Sequence, residues 1–163
     1  MGIWPDYIST GEGWLYLTAV LDLADRKVVG WALSEPMEAE ETTVAAFQMA
    51  GRNRPVTQIL LFHSERGVQY ACSAFREQME GLPVLQSMSR KGNCWDNAVA
   101  ESFFKTIKTE MLCHRKFVTS HEVRIAVFEY IKGWYNRKRK HSALDHFTPC
   151  QQEKWLYRQS MTA

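Results

Sequence analysis

Two carboxylates stand out by type and setting. Glu65 lies in His63-Ser64-Glu65-Arg66-Gly67, directly after the apolar run Gln58-Ile59-Leu60-Leu61-Phe62, and Glu101 lies in Trp95-Asp96-Asn97-Ala98-Val99-Ala100-Glu101-Ser102, with 35 residues between them. The run before Glu65 reads as a strand, buried by composition and length, and Glu101 falls near the start of a long helical segment. A carboxylate at a strand end and another on a helix can converge on divalent cations. Two metals roughly 3.5–4 Å apart stabilise the attacking and leaving oxygens in phosphodiester chemistry.

The elements that position these residues follow from the pattern. Trp4 to Ile8 reads as a short first strand, with Pro5 arguing for an edge or frayed position. Trp14 to Leu21 and Lys27 to Leu33 read as partner strands joined by a polar turn from Asp22 to Arg26. Asp22 is read as a structural or turn residue. Glu38 to Met49 reads as a helix, with Ala45, Ala46 and Met49 on its apolar side. Ser73 to Met79 is expected to be helical, followed by a short strand at Val84-Leu85-Gln86.

The clearest helix runs from Asp96 or Asn97 to Leu112. Ala100, Phe103, Phe104, Ile107 and Met111 repeat at helical spacing and bury one side. Glu101, Lys105 and Lys108 share another side. A further helix spans Ser120 to about Tyr135, with Ser120 as N-cap and Val123, Val127, Tyr130, Ile131 and Trp134 inward. The order describes a mixed sheet covered by helices.

Composition narrows the function classes. A chain of 163 residues with six tryptophans and 45% hydrophobic residues has enough apolar surface for one globular domain. Its net charge is only +2, yet residues 1–65 carry nine acidic against four basic side chains, and residues 66–163 carry sixteen basic against nine acidic. An acidic half and a basic half suit an enzyme of nucleic acids; scattered solvated charge is the competing reading. Cys72, Cys94, Cys113 and Cys150 have no zinc-ligand spacing and read as reduced intracellular thiols. With no signal segment and no membrane-length apolar run, the expected location is cytoplasmic, nucleoid-associated when DNA is bound.

With both carboxylate settings in view, a family resemblance is plain. His63-Ser64-Glu65-Arg66-Gly67-Val68-Gln69-Tyr70 resembles the HSDRGxQY segment of bacterial insertion-sequence transposases that carry a retroviral-integrase-like core. Ser87 to Phe104 resembles their signature block. Leu21-Asp22-Leu23 with Arg26 to Trp31 resembles their second and third strands, and Tyr135-Asn136-Arg137, His141 to Leu144 and Thr148-Pro149 resemble their carboxyl-terminal end.

The resemblance implies an α/β, RNase H-like fold: a mixed five-stranded sheet flanked by helices, with extra C-terminal helices. It implies a DDE-type transposase core, metal-dependent DNA strand cleavage and 3′-hydroxyl strand transfer. Two Mg²⁺ or Mn²⁺ ions would be held by Asp6, Glu65 and Glu101. Lys105 and Lys108, Arg90 and Lys91 before the helix, and Arg137 and Arg139 in the basic run after Tyr135 are the expected DNA contacts; a solvated basic surface is the alternative for each. The implied partners are DNA (element ends and target) and further copies of the chain, with no membrane and no small-molecule substrate. His63 is read as a packing or hydrogen-bonding residue, because Mg²⁺ prefers oxygen ligands. His114 is read as a surface residue, Trp95 as a core or helix-entry anchor, and Asp96 and Asn97 as helix caps.

Two metal positions depart from the family pattern. Glu65 stands where the family has Asp, which moves the carboxylate outward by about 1.5 Å, one C–C bond. On the first strand the pattern Trp-x-x-Asp-[Ile/Leu]-Thr-Tyr-[Ile/Leu] meets Trp4-Pro5-Asp6-Tyr7-Ile8, which is about three residues shorter and leaves Asp6 as the candidate. Residues 1–163 read as a single core, truncated before the helix-turn-helix region that the resemblance places upstream. The rival readings are a catalytically impaired remnant that binds DNA or pairs with a full-length transposase, and an RNase H-type nuclease.

Overall fold

The computed structural model describes residues 1–35, 38, 40–64, 67–88 and 98–162. Three strands, β1 (Gly2–Thr10), β2 (Gly13–Leu21) and β3 (Val28–Ser34), form an antiparallel meander. A wide π-type turn at Glu40–Val44 leads into α1 (Ala45–Asn53). Strand β4 (Leu60–Ser64) then pairs parallel to β1 on its other side. Two short helices, α2 (Val68–Ala71) and α3 (Ser73–Glu77), precede β5 (Val84–Met88), which pairs parallel to β4. The sheet order is β3-β2-β1-β4-β5, the expected mixed five-stranded sheet. The chain continues through α4 (Ala98–Glu110), α5 (Ser120–Phe128) with a π-type extension at Glu129–Tyr135, and α6 (Pro149–Met161).

Alternation along the strands gives the sheet two apolar faces. Trp4, Ile8, Leu15, Leu17 and Ala19 pack with Ala100, Phe103, Ile107, Val123 and Val127 of α4 and α5. Ile3, Val20, Val29 and Phe62 pack with Phe47 and Ala50 of α1, Tyr70 of α2 and Phe75 of α3. In this second layer Phe47 lies edge-on to Phe62 and Phe75, with ring centroids 5.1 and 5.4 Å apart. Such pairs contribute roughly 0.5–1.5 kcal/mol each beyond their burial.

Helix α1 crosses β3 at Gly30. A Cβ there would stand 2.2 Å from the Ala46 carbonyl oxygen and 2.6 Å from the Ala50 nitrogen, both backbone atoms that cannot rotate away. Gly30→Ala is therefore expected to lower stability by about 1–3 kcal/mol, as overpacking does, measured by urea unfolding. An Ala variant at exposed Gly51 within α1, where a Cβ meets nothing within 4 Å, is the matched control and should raise stability by roughly 0.5–1 kcal/mol through helix propensity.

Several elements differ from their sequence reading. Pro5 sits in β1, a central strand rather than an edge. The Met1 carbonyl accepts from the His63 N–H at 2.8 Å, so by alternation the backbone of Ile3 and Pro5 also faces the β4 side. The β1–β4 pairing runs only through Ile3↔Ser64, so no partner asks Pro5 for the N–H it lacks. Strand β4 begins two residues later than expected, and it is not buried throughout: Phe62 and Ser64 are buried, while Ile59 and Leu61 are exposed. Helix α1 starts later and buries Ala46, Phe47 and Ala50. The cap of α5 is Thr119, one residue before Ser120, because only Thr119 has a Glu three positions on; Thr119 and Glu122 form a reciprocal capping box. Trp134 turns outward and Tyr135 inward. The π-type turn, marked by the Asn136 N–H donating to the Ile131 carbonyl, adds a residue and shifts the helix phase.

Candidate functional site

Helix α4 carries the site. Ala100, Phe103, Phe104, Ile107 and Met111 are all buried, as their spacing requires, and this fixes the helix rotation. Glu101 and Lys105 are thereby exposed and Lys108 is half-buried on the same side. Glu101 has no hydrogen-bond or ion-pair partner among the described residues. Glu65, Arg90 and Lys91 lie outside the described residues, as do Trp95, Asp96 and Asn97.

Asp6 lies on β1 opposite Leu17, and alternation puts Trp4, Asp6 and Ile8 on the sheet face turned toward α4. Its carboxylate is already engaged. Oδ2 is 2.7 Å from the Lys108 ammonium, and Oδ1 accepts from the same ammonium at 2.9 Å and from the Tyr7 N–H at 2.8 Å. The Tyr7 N–H faces the side of β1 that β4 has already left, so Asp6 also completes the backbone of its own strand. The Lys108 ammonium lies 5.4 Å from the centre of the Tyr7 ring.

The shorter first-strand motif is not bridged by a loop. Residues Gly2 to Thr10 pair one-to-one with Leu21 to Gly13. Counted back from Tyr7, the aspartate of the family pattern falls on Trp4 instead. That indole is buried, lies 6.3 Å from the His63 ring and covers Gly2 so closely that a Cβ on Gly2 would stand 2.0 Å from it. His63 packs there, with Nδ1 3.2 Å from the Ser87 hydroxyl.

Oxygen donors suit Mg²⁺ or Mn²⁺. Glu101 meets that requirement with an open carboxylate. Asp6 does not as it is held, since a cation approaching it must displace the Lys108 ammonium. Among the described residues no group of three His, Cys, Asp or Glu side chains is arranged to hold a metal ion. The described donors therefore fit a divalent ion only in part: Glu101 is open and Asp6 is closed by Lys108.

The basic run after α5 divides in two. Arg137 is exposed and without an acidic partner among the described residues. Arg139 folds inward, its Nε donating to Glu110 at 2.8 Å. Glu110 also accepts from the Tyr130 hydroxyl at 2.8 Å and Trp134 Nε1 at 3.2 Å. Burial pushes the Glu110 carboxyl up, but these donors outweigh it and hold it below the usual carboxylate range. Burial, with the charges of Arg139 and Arg26, pushes His141 down to about 4.

A His held neutral contributes stability that is present above its ordinary value of 6.5 and is lost as pH falls toward about 4. Discounted for partial exposure, the loss across that window is roughly 1–2 kcal/mol. His141→Asn is expected to flatten the stability curve between pH 6.5 and 4.5, measured by urea unfolding. Glu110 and Glu153, both lowered, add their losses below that range, whereas Asp25, raised by burial, acts in the opposite sense.

Sequence reasoning missed the Asp6–Lys108 pair and an ionic cluster around Arg54, described below. Neither has a local signal, because the partners lie 102 and 29–99 residues apart. Among the described residues no helix is long and apolar enough to cross a membrane, and Cys72, Cys113 and Cys150 are free thiols.

Comparison with known proteins agrees with this architecture. The chain is 39% identical over 149 residues to the transposase for insertion sequence element IS904 of Lactococcus lactis subsp. lactis (strain IL1403), covering 91% of this chain and 58% of the relative. It is 40% identical over 147 residues to transposase InsF for insertion sequence IS3A of Escherichia coli (strain K12), covering 90% and 51%. The chain thus spans about half the length of these relatives.

Among solved structures, one in a simian T-cell lymphotropic virus intasome in complex with PP2A regulatory subunit B56 gamma superposes with a TM-score of 0.72 at 13% identity, covering 92% of this chain and 52% of that one. The HTLV-2 integrase catalytic core domain in complex with magnesium (trimeric form) superposes with a TM-score of 0.65 at 12% identity, covering 92% of each chain. These likenesses establish the expected RNase H-like fold. Residues 1–94 match one integrase core domain model and residues 82–149 match another, so that strands, helix α4 and the turn after α5 all fall within matched segments. The chain belongs to the integrase core domain family.

Proposed function

We propose that this chain is the catalytic core of an insertion-sequence transposase that cuts DNA at element ends and joins the 3′-hydroxyl to a target. The observation that carries the reading is the exposed side of α4, where Glu101 stands in line with Lys105 and Lys108 in a member of the integrase core domain family. Carboxylate and ammonium groups on one helix side suit a metal-bridged phosphodiester and its flanking phosphates. Two relatives are named as transposases of insertion sequences, and a structural neighbour contains magnesium.

In this reading Glu101 and Glu65 would hold Mg²⁺ or Mn²⁺, with Asp6 as the third carboxylate were Lys108 to exchange it for a DNA phosphate. When bound, the ions supply Lewis-acid stabilisation of the phosphodiester oxygens. The residues of the chain hold and orient the DNA: Lys105, Lys108 and Arg137, with Arg90 and Lys91 before α4, contact phosphates. The chain acts as an oligomer that brings two DNA ends together, in the cytoplasm at the nucleoid. The test is a strand-transfer assay with Mn²⁺ and element-end DNA. Joined products are expected from the native chain or from Glu65→Asp, and their absence from both contradicts the reading.

A further inference from the structure

We propose that a basic, aromatic-rimmed pocket at the far end of α4 is a subsite for an unpaired nucleotide of the DNA, a proposal that rests on the reading of the chain as a DNA-handling core. The pocket, about 370 Å³, lies between the outer half of β1 and the turn after α4, and Tyr7, Lys108, Arg115, Lys116 and Phe117 line it. That volume falls in the range of small-ligand sites. Its walls are tied together: the Gly11 N–H donates to the Phe117 carbonyl at 3.0 Å, and the Ser120 N–H donates to Glu12 at 2.8 Å.

Its lining is basic. Lys108 is paired with Asp6, whereas Arg115 and Lys116 are exposed with no ion-pair partner among the described residues, and no acidic side chain lines the pocket among those residues. Tyr7 lines the pocket with these cations, and Trp14, at its margin, packs edge-on against Tyr7 with ring centroids 5.3 Å apart; the two are exposed by 58% and 57%. A diagonal aromatic pair stabilises a hairpin, but that role does not require two free guanidinium and ammonium groups next to it. Cations that track a phosphate backbone beside exposed rings on which bases stack are how proteins hold single strands. A duplex keeps its bases stacked inside, so the rings call for an unpaired nucleotide.

The position matters as well. Lys108 lies seven residues from Glu101, about 10 Å along the helix axis. That is roughly three steps of a DNA strand at 3.4 Å each. The subsite thus holds a nucleotide near, but not at, the proposed reacting phosphate.

The test is DNA binding by the full chain in EDTA, read by fluorescence anisotropy, with a duplex carrying a three-nucleotide 3′ overhang against the same duplex blunt-ended. The overhang is expected to bind more tightly. Trp14→Ala should weaken overhang binding about 5- to 100-fold, the range of a lost base stack, and leave blunt-duplex binding unchanged. Trp14→Phe should keep the preference, which separates stacking from damage to the hairpin. Arg115→Ala with Lys116→Ala should reduce the salt-dependence slope by about 1.4, at about 0.7 per phosphate contact on a single strand.

Equal binding of both DNAs, an unaltered preference in Trp14→Ala, or tighter binding of an RNA overhang than a DNA overhang overturns the proposal. Because binding is read without metal, its failure is distinct from a failure of strand transfer, which tests the reading of the core itself.

Discussion

Replacing Arg54 by Met is expected to lower the unfolding free energy by about 3–5 kcal/mol, the cost of breaking a buried ion pair on one side only. Arg54 stands just past the end of α1, and its guanidinium bonds Asp22 and Asp25 in the β2–β3 turn and Glu153 on α6; the distances to Asp25 and Glu153 are 2.8 and 2.6 Å. Lys27 reaches the same Glu153 at 2.6 Å. The Asp25 side chain is only 2% exposed. Burial raises its carboxyl above the ordinary range even with the guanidinium present; burial pulls Arg54 down, but its three acidic partners outweigh this and raise it above its own. Removing the charge leaves Asp25 buried without compensation and leaves Lys27 as the remaining ionic link to Glu153 on α6. At roughly 2–4 °C per kcal/mol for a chain of this size, the melting temperature should fall by about 6–20 °C. Adding Asp25→Asn to Arg54→Met should recover part of the loss, since the stranded charge is then gone; calorimetric melting of both variants checks this.

Glu101→Gln is the second large effect, and it falls on activity alone. Gln keeps the shape and loses the charge that a divalent ion needs. Strand transfer is expected to drop by on the order of 10³-fold, comparable to removing a group that stabilises charge in a transition state. The fold should not change: Glu101 is exposed and bonds no described residue, so stability should stay within about 0.5 kcal/mol. Lys105→Ala should act differently, weakening DNA binding across sequences and lowering the salt slope by about 1. The contrast between lost turnover with intact binding and weakened binding with turnover retained at saturating DNA separates a metal-binding carboxylate from a phosphate contact.

The fold was legible wherever a periodic pattern met a uniform element. The spacing of Ala100, Phe103, Phe104, Ile107 and Met111 located α4 and set its rotation, and with it the shared side of Glu101, Lys105 and Lys108. Periodicity misled at Trp134 because a π-type turn breaks the 3.6-residue repeat from within, and no residue there announces it. Pro5 misled for a different reason. A proline argues against a central strand only where its N–H faces a partner, and the early departure of β4 from β1 is a tertiary fact.

The site was legible in its motifs and not in its contacts. Residue spacing could single out Glu101 and the lysines, yet the ion pair between Asp6 and Lys108 joins a strand to a helix across most of the chain. The shortened first-strand motif could be counted from either end. The one-to-one register with β2 shows that no loop bridges the shortening, so a count back from Tyr7 reaches Trp4 while a count from Trp4 leaves Asp6 as the candidate.

The most direct test of a carboxylate centre built on Glu101 is a calorimetric titration of Mn²⁺ into the native chain and into Glu101→Gln. Saturable binding by the native chain that disappears in Glu101→Gln is the predicted result. Native-like binding by Glu101→Gln, or none by either protein, would contradict it.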